Sequence, residues 1–162
     1  MTNPPRQTRS MTEADIPAIV LIERASFADP WPDSAFREML AERNRFNLVL
    51  ANEEDQPLGY LCAQCVAGEI QIHNIAVAPD SLRQGIGRRL LVAAEAEGLR
   101  RGAFGAVLDV RATNTAALAM YGRFGYRRIG RRRNYYVRPR GDALILFKPL
   151  IAEAQKADGM VS

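Results

Sequence analysis

Residues 83 to 88 read Arg83-Gln84-Gly85-Ile86-Gly87-Arg88, and they follow a strand-like run that ends at Val77. Apolar residues recur at helical spacing from Leu90 to Leu99, so the chain passes here from a strand into a helix. Glycines at such a junction let backbone N–H groups converge on a ligand, and the start of a helix favours an anion. By themselves the two glycines are equally typical of a plain strand-to-helix turn.

The junction does not match the two best-known phosphate motifs. Leu90 stands where a Rossmann G-x-G-x-x-G would have its third glycine, and the Gly-Lys-Ser/Thr of a P-loop is missing. A pyrophosphate still fits a cradle of this kind, because Arg83, Arg88 and Arg89 add positive charge beside the free N–H groups.

The segments before this junction predict two helices followed by an antiparallel meander. The expected elements are a short strand near residues 8–11, a helix with Asp15 as N-cap, a second helix after Asp33, and strands at 46–51, 58–67 and 69–78. After the junction we expect a strand at 105–111, a helix at 114–124 and two further strands ending near 150. Strands followed by alternating strands and helices indicate an α/β or α+β sheet flanked by helices.

Composition indicates one globular domain. The chain has 162 residues, is 48% apolar, and contains no internal repeat or Pro/Gly/Ser linker. No apolar run is long enough for a membrane span or a signal peptide, which favours a cytoplasmic location. The only cysteines, Cys62 and Cys65, are three apart on a predicted strand, so we expect buried thiols on opposite faces rather than a disulfide or a metal pair.

The net charge of +4 conceals an uneven distribution. Residues 123–140 hold eight arginines and no acidic residue. This stretch predicts either a solvated, arginine-rich hairpin or a surface for RNA or an acidic partner, and composition does not choose between them.

Several motifs, in order, resemble the GCN5-related N-acetyltransferases, the GNAT family. The first is Asn74-Ile-Ala-Val77 followed by Arg83-Gln-Gly-Ile-Gly-Arg88, which is similar to the coenzyme-binding signature R/Q-x-x-G-x-G/A. The others are Pro30-Trp31, Leu108-Asp-Val-Arg-Ala-Thr-Asn114, Ala117-Leu-Ala-Met-Tyr121, Phe124-Gly125-Tyr126, Arg132-Arg-Asn-Tyr-Tyr136 and Gly141-Asp142-Ala143. These resemble the branch of ribosomal-protein-alanine N-acetyltransferases and its N-terminal acetyltransferase relatives.

The resemblance implies a GNAT fold: a mixed, mostly antiparallel sheet of about seven strands flanked by about four helices. It implies a single domain over residues 1–150, and residues 151–162 are expected to form a flexible tail. The implied activity is acetyl transfer from acetyl-CoA to a protein N-terminal α-amine, the N-terminal alanine of a small-subunit ribosomal protein. The chain would then need no metal and no membrane.

By the same resemblance, the general base falls on Asp109 and the proton donor to the coenzyme thiolate on Tyr121. Most of that branch has Glu at the base position, and the shorter Asp favours proton transfer through a water molecule. His73, the only histidine, is the other candidate base, and it can equally be structural.

The coenzyme is expected to bind residues from two further elements beside the cradle. Relatives bulge the strand that contains Ile75, Ala76 and Val77, which frees backbone groups for the thioester and the pantetheine arm. Asn114 is either a coenzyme contact or only a helix N-cap. One of Tyr135 and Tyr136 is expected to touch the substrate.

Two alternatives stay open at this point. A GNAT enzyme could acetylate a lysine or a small-molecule amine. A non-catalytic CoA- or RNA-binding module could keep the same fold and dock through residues 123–140, although the presence of Tyr121 and the whole coenzyme loop argues against it.

Overall fold

The computed structural model describes residues 5–151, with side chains from residue 7 onward. In this range seven strands and four α-helices follow one another: β1 (Pro5–Ser10), α1 (Ile16–Ser26), α2 (Asp33–Ala41), β2 (Arg45–Asn52), β3 (Pro57–Val66), β4 (Glu69–Val77), α3 (Ile86–Arg100), β5 (Gly105–Arg111), α4 (Thr115–Arg123), β6 (Arg127–Val137) and β7 (Arg140–Pro149). These bounds confirm the elements expected from the sequence, and the largest difference is the earlier start of β1.

The strands form one sheet in the order β1-β2-β3-β4-β5-β7-β6. Every neighbouring pair is antiparallel except β4 and β5, which run parallel and are joined through α3. The predicted mixed, mostly antiparallel sheet with four helices is therefore confirmed. The single parallel pair places the start of α3 at the carboxyl end of β4.

The helices cover the two faces of the sheet and bury two apolar clusters. One cluster packs α3 and α4 against the sheet and includes Leu90 and Tyr121. The other packs α1 and α2 and includes Ile19 and Phe36. Each helix buries one apolar stripe, as its sequence period predicts.

The two cysteines lie on opposite faces, as strand alternation predicts. Cys62 belongs to the α1–α2 cluster, and Cys65 packs against the α3–α4 cluster. Both are free, but Cys65 is only half-buried, whereas the sequence predicted two buried thiols. Burial raises the pKa of the Cys62 thiol, so it stays protonated and unreactive.

Near the middle of the sheet, β4 carries a bulge and separates from β5. Along β3, Cys62 pairs with Asn74 and the next residue pairs with Ile72, so His73 is the extra residue on β4. The β4–β5 pairs end at Ile72 with Leu108. Beyond that pair β4 stays bound to β3 while its other edge is open, which is the bulge and separation that the family resemblance implies.

Helix α3 lies close to the sheet at its first turn. A Cβ at Gly59 on β3 would stand 2.9 Å from Cγ2 of Ile86, so glycine is needed there for this approach. Ile86 is buried and leads the apolar stripe of the helix. The contact holds the N-terminus of α3 beside the open end of β4.

Asp15 and Asn114 occupy the N-cap positions of α1 and α4, but only one of them caps with its side chain. Asn114 Oδ1 accepts a hydrogen bond from the Ala117 N–H at 3.2 Å. The Asp15 carboxylate instead accepts from the Thr12 N–H at 2.8 Å and pairs with Arg9 at 2.7 Å. The Asp15 cap predicted from sequence is thus right in position and different in its hydrogen bonds.

The predicted tail at 151–162 lies outside the described residues except for Ile151. Among the helices of residues 5–151, none has the length and apolar character that a membrane crossing needs.

Candidate active site

The cradle predicted at residues 83–88 forms the entrance to α3. Gly85 is the N-cap in a left-handed conformation with φ +75°, and no side chain caps the helix there. The first helical hydrogen bond runs from the Arg89 N–H to the Gly85 carbonyl at 3.1 Å. The N–H groups of the three preceding residues therefore point out of the helix end, where an anion would meet them.

Arg83 strengthens this assignment, because it is not a glycine and yet has φ +65°. That conformation costs about 1–2 kcal/mol for a residue with a Cβ. Backbone strain of this kind gathers at functional sites.

The cradle lies against the open end of β4 and against α4. A Cβ placed on Gly87 would be 3.5 Å from the Met120 sulfur and 4.0 Å from a Val77 methyl group. The guanidinium of Arg88 lies 5.7 Å from the centre of the Phe124 ring, just past α4. An anion in the cradle would thus sit at the mouth of the gap between β4 and β5.

The gap itself exposes one edge of β4 from His73 to Val77. In an antiparallel strand every second residue directs its N–H and C=O toward one side, so part of this edge is free for a ligand. Ile75, Ala76 and Val77, predicted to meet the thioester and pantetheine, all lie on it.

The two candidate bases lie on either side of the gap. Asp109 is partly exposed and its Oδ1 is 3.4 Å from Nε of Arg132. The Nε2 atom of His73 lies 3.1 Å from Oε1 of Gln64. Loss of water around the ring, and then the charge of Arg45, lower the pKa of His73, while Asp109 acts in the opposite direction.

Tyr121 is buried on α4, with its ring 5.7 Å from that of Tyr126 in an edge-to-face contact. Burial raises the pKa of its hydroxyl, and nearby Tyr136 adds to the rise. Tyr121 therefore keeps its proton throughout the physiological pH range. A neutral phenol at this position can donate a proton.

The side chains of Tyr135 and Tyr136 do not point to opposite faces of the sheet, as adjacent residues of a regular strand would. Their ring centres are 5.1 Å apart, with Tyr135 half-exposed and Tyr136 partly buried. The cause is a bulge in β6, where Asn134 has φ +54° and the pairing with β7 shifts. Burial and then the Asp109 carboxylate raise the pKa of Tyr136 to about 12, so its ring lies near the candidate base.

Asn114 caps α4, which is the structural role that its position predicts. The residue is exposed, and its contact with the coenzyme stays a prediction.

A buried carboxylate on α1, which was not among the site residues predicted from sequence, supports the site from the α1 side. Glu23 is 1% exposed and accepts hydrogen bonds from the Tyr60 hydroxyl, from Nδ2 of Asn74 at 2.5 Å and from the Trp31 N–H at 2.9 Å. Asn74 follows the bulge directly. Glu23 stands seven residues after Ile16 on the apolar stripe of α1, and a charged residue on such a stripe was the available signal.

Part of the arginine block forms ion pairs at the surface. Arg131 pairs with Asp142 at 2.7 Å, Arg132 with Asp109 at 3.4 Å, and Arg138 with Asp29 at 3.8 Å. Arg131 pairs within the β6–β7 hairpin, whereas Arg132 and Arg138 pair with acids of other segments, and all three arginines stay exposed to solvent. Within residues 5–151, no cluster of His, Cys, Asp and Glu could hold a metal ion.

Comparison with known proteins agrees with this geometry. The bS18-alanine N-acetyltransferase of Escherichia coli strain K12 is 37% identical over 143 residues, which is 87% of this chain and 95% of that protein. The crystal structure of the ribosomal-protein-S18-alanine N-acetyltransferase from Escherichia coli superposes with a TM-score of 0.81 at 34% identity, over 91% of this chain and 96% of that one.

Arabidopsis thaliana NAA60, solved in complex with acetyl-CoA, has a TM-score of 0.81 over 88% of this chain and 97% of its own, and at 15% identity it shows the shared fold alone. The model of the acetyltransferase (GNAT) family matches residues 16–126, which span the cradle, the bulge and both candidate catalytic residues. This chain belongs to the GNAT acetyltransferase family.

Proposed function

We propose that this chain transfers an acetyl group from acetyl-CoA to the N-terminal α-amine of a protein, the N-terminal alanine of ribosomal protein bS18. The observation that carries the proposal is the gap between β4 and β5, with the anion cradle at its mouth, Asp109 at its closed end, and buried Tyr121 on α4, whose Met120 lies against the cradle. The 37% identity to the Escherichia coli bS18-alanine N-acetyltransferase supports the choice of acceptor.

Acetyl-CoA would bind with its pyrophosphate on residues 83–88 and its pantetheine arm along the open edge of β4. Ile86, Gly87 and Arg88 supply the free backbone N–H groups at the helix start, Gln84 and Gly85 form the turn that leads into it, and Arg83 and Arg88 supply charge. Backbone N–H groups around Ile75, Ala76 and Val77 would then hold the thioester carbonyl, whose oxygen becomes negative as the amine attacks. Asn114 is proposed to contact the coenzyme from the start of α4.

The attacking amine must be neutral. An α-amino group has a pKa of about 7.7–8.0, so a base has little work to do near neutral pH. Asp109 is proposed to take the proton through a water molecule, because its short side chain is already engaged with Arg132. The C–N bond forms as the amine loses this proton.

The C–S bond then breaks and the coenzyme leaves as a thiolate. Tyr121 is proposed to protonate it, since its buried hydroxyl is neutral at any working pH. The products are the acetylated N-terminus and CoA. No metal takes part in this scheme, and the whole reaction belongs to one domain in the cytoplasm.

The acceptor is tested with two short peptides, one that begins with a free alanine and one that is N-terminally blocked and contains lysine. Acetyl-CoA consumption and the mass of the peptide report the product. We expect acetylation of the free alanine peptide alone. Product only from the lysine peptide would contradict N-terminal specificity, and RNA binding with no acetyl transfer to either peptide would favour the non-catalytic alternative.

A further inference from the structure

Arg111 is the last residue of β5 and precedes α4 by a short connection. Its side chain reaches the tip of the β6–β7 hairpin. Its two terminal nitrogens donate hydrogen bonds to the carbonyl oxygens of Pro139 at 2.8 Å and Arg138 at 3.2 Å. These carbonyls belong to the connection between β6 and β7. One guanidinium thus holds the backbone of the turn from the side of β5.

The same guanidinium covers an aromatic ring. Its central carbon lies 4.1 Å from the centre of the Tyr136 ring, a close cation–π contact. The Tyr136 ring meets that of Tyr135, and the Arg132 guanidinium lies 5.9 Å from the centre of the Tyr135 ring. Two arginines therefore enclose the tyrosine pair, and Arg132 also pairs with Asp109.

The backbone leaves room for Arg111. Gly141 pairs with Tyr136 across the hairpin, and a Cβ at Gly141 would stand 3.3 Å from Nη1 of Arg111. That distance is tighter than an ordinary contact, so a methyl group there would press the guanidinium away from the Pro139 carbonyl.

We propose that Arg111 is a positioning residue of the acceptor site, which fixes the β6–β7 hairpin and the Tyr136 ring so that the acceptor peptide binds tightly. This inference rests on the proposed function, because it takes the tyrosine pair beside Asp109 as the place where the acceptor lies. Arg111 itself touches neither the reacting atoms nor the cradle.

Only arginine can fill this role. Its planar, charged fork donates to two carbonyls while its face stacks on a ring, whereas a lysine ammonium has no flat face and a single donor atom. Arg111→Lys therefore keeps the positive charge but cannot bond to both carbonyls while it stacks on the Tyr136 ring. Gly141→Ala leaves Arg111 in place but moves its guanidinium away from the Pro139 carbonyl. It therefore tests the same contact without any change of charge.

The first measurement is the steady-state kinetics of both variants with the free-alanine peptide. We expect KM for the peptide to rise about tenfold, as loss of charge-assisted hydrogen bonds would give. We expect kcat and KM for acetyl-CoA to stay within about twofold of the wild-type values. The variants weaken binding of the acceptor equally in the ground state and the transition state, so the chemical step keeps its rate. Arg128→Lys, an exposed arginine on β6, is the matched control and should match the wild type.

The second measurement is hydrogen exchange of the hairpin amides, residues 134–141, in the free protein. We expect faster exchange in Arg111→Lys and Gly141→Ala than in the wild type and Arg128→Lys. If the wild type acetylates neither peptide, the proposed function is wrong, and hairpin exchange still decides whether Arg111 holds the hairpin.

Three results would overturn the proposal. The first is wild-type hairpin exchange in both variants. The second is a peptide KM that stays unchanged although the hairpin exchanges faster. The third is a fall in kcat with no change in peptide KM, which would assign Arg111 to the chemical step instead.

Discussion

His73 and Asp109 each come one residue after the last parallel pair between β4 and β5, formed by Ile72 and Leu108. The strands separate at that pair, so both residues stand at the closed end of the gap in which the thioester is proposed to lie. They are close enough for the Asp109 carboxylate to act on the pKa of His73. The bulge that makes His73 an extra residue is what brings it there.

Substitution of Asp109 and of His73 should show which of the two residues is the general base. Asp109→Asn removes the carboxylate and should lower kcat/KM for the alanine peptide by about 100-fold, within the usual range for general base catalysis. His73→Gln keeps a polar side chain beside Gln64 and should leave kcat/KM within about threefold. Initial rates at pH 7 measure both.

Arg132→Gln serves as the control, because it breaks the ion pair with Asp109 and leaves the carboxylate in place. A much smaller loss than in Asp109→Asn is expected. Full activity in Asp109→Asn together with an inactive His73→Gln would assign the base to His73.

Tyr121→Phe removes one hydroxyl from a buried ring and keeps its packing against Tyr126. We expect kcat to fall by about 100-fold, because the thiolate then leaves without a proton donor. The matched variant Tyr126→Phe loses the hydrogen bond to Glu95 and should lose about 1 kcal/mol of stability with an unchanged kcat. Equal kcat values in the two variants would remove Tyr121 from the mechanism.

The pH profile offers a separate check on Tyr121. The pKa of its hydroxyl is raised above the ordinary value of about 10, so the phenol loses its proton only at still higher pH. We expect kcat/KM to rise with pH as the acceptor amine, with a pKa of about 7.7–8.0, becomes neutral, and then to stay level to about pH 9.5. A decline that begins well below pH 9.5 would indicate a different proton donor.

Gly85→Ala and Gly102→Ala form a matched pair at the two ends of α3. Both glycines have left-handed φ values, +75° and +82°, and a Cβ at either would meet no atom within 4 Å. Each alanine should therefore cost about 1–2 kcal/mol of stability through backbone strain alone. Only Gly85→Ala should also weaken acetyl-CoA binding, since it alone redirects the N–H groups of the cradle, and calorimetric titration would measure this. Equal affinity in both variants would argue against the cradle.

Removal of the buried Glu23 carboxylate should destabilise the protein. Glu23→Ala removes the acceptor of one buried donor, the Tyr60 hydroxyl, and of two partly buried donors on Trp31 and Asn74, and should lower the free energy of unfolding by about 3 kcal/mol. Glu23→Gln keeps one acceptor oxygen and should cost about 1–2 kcal/mol. Urea unfolding measures both, with the exposed Glu38→Gln on α2 expected within about 0.5 kcal/mol of the wild type. A wild-type transition in Glu23→Ala would show that the network contributes nothing.

Local sequence periods predicted the elements of this fold with small errors at their ends. Leu90, Leu91 and Ala94 repeat at helical spacing and are buried where α3 meets the sheet. Turn and cap residues such as Gly85 and Asn114 mark helix starts, because their preferences depend on the backbone within a few residues. These signals need no knowledge of distant parts of the chain.

Asp109 and Tyr121 were assigned by their resemblance to a family, and the position of Asp109 one residue beyond the last β4–β5 pair supports the first assignment. Glu23, Arg111 and Arg132 were missed, because their partners are distant in sequence. Glu23 bonds to Asn74, 51 residues away, and Arg111 bonds to Pro139, 28 residues away. Nothing local to either residue identifies such a partner.

The sequence by itself determined the order of strands and helices, the cradle at Gly85 and the family that its motifs resemble, all of which follow from local spacing. Only the tertiary structure decided that His73 lies across the gap from Asp109, that Glu23 binds Asn74 beside the bulge and that Arg111 contacts the hairpin turn and the Tyr136 ring. These contacts depend on strand register and on bulges in β4 and β6. One extra residue in a strand changes which side chains meet across a sheet, and the sequence period alone does not locate that residue.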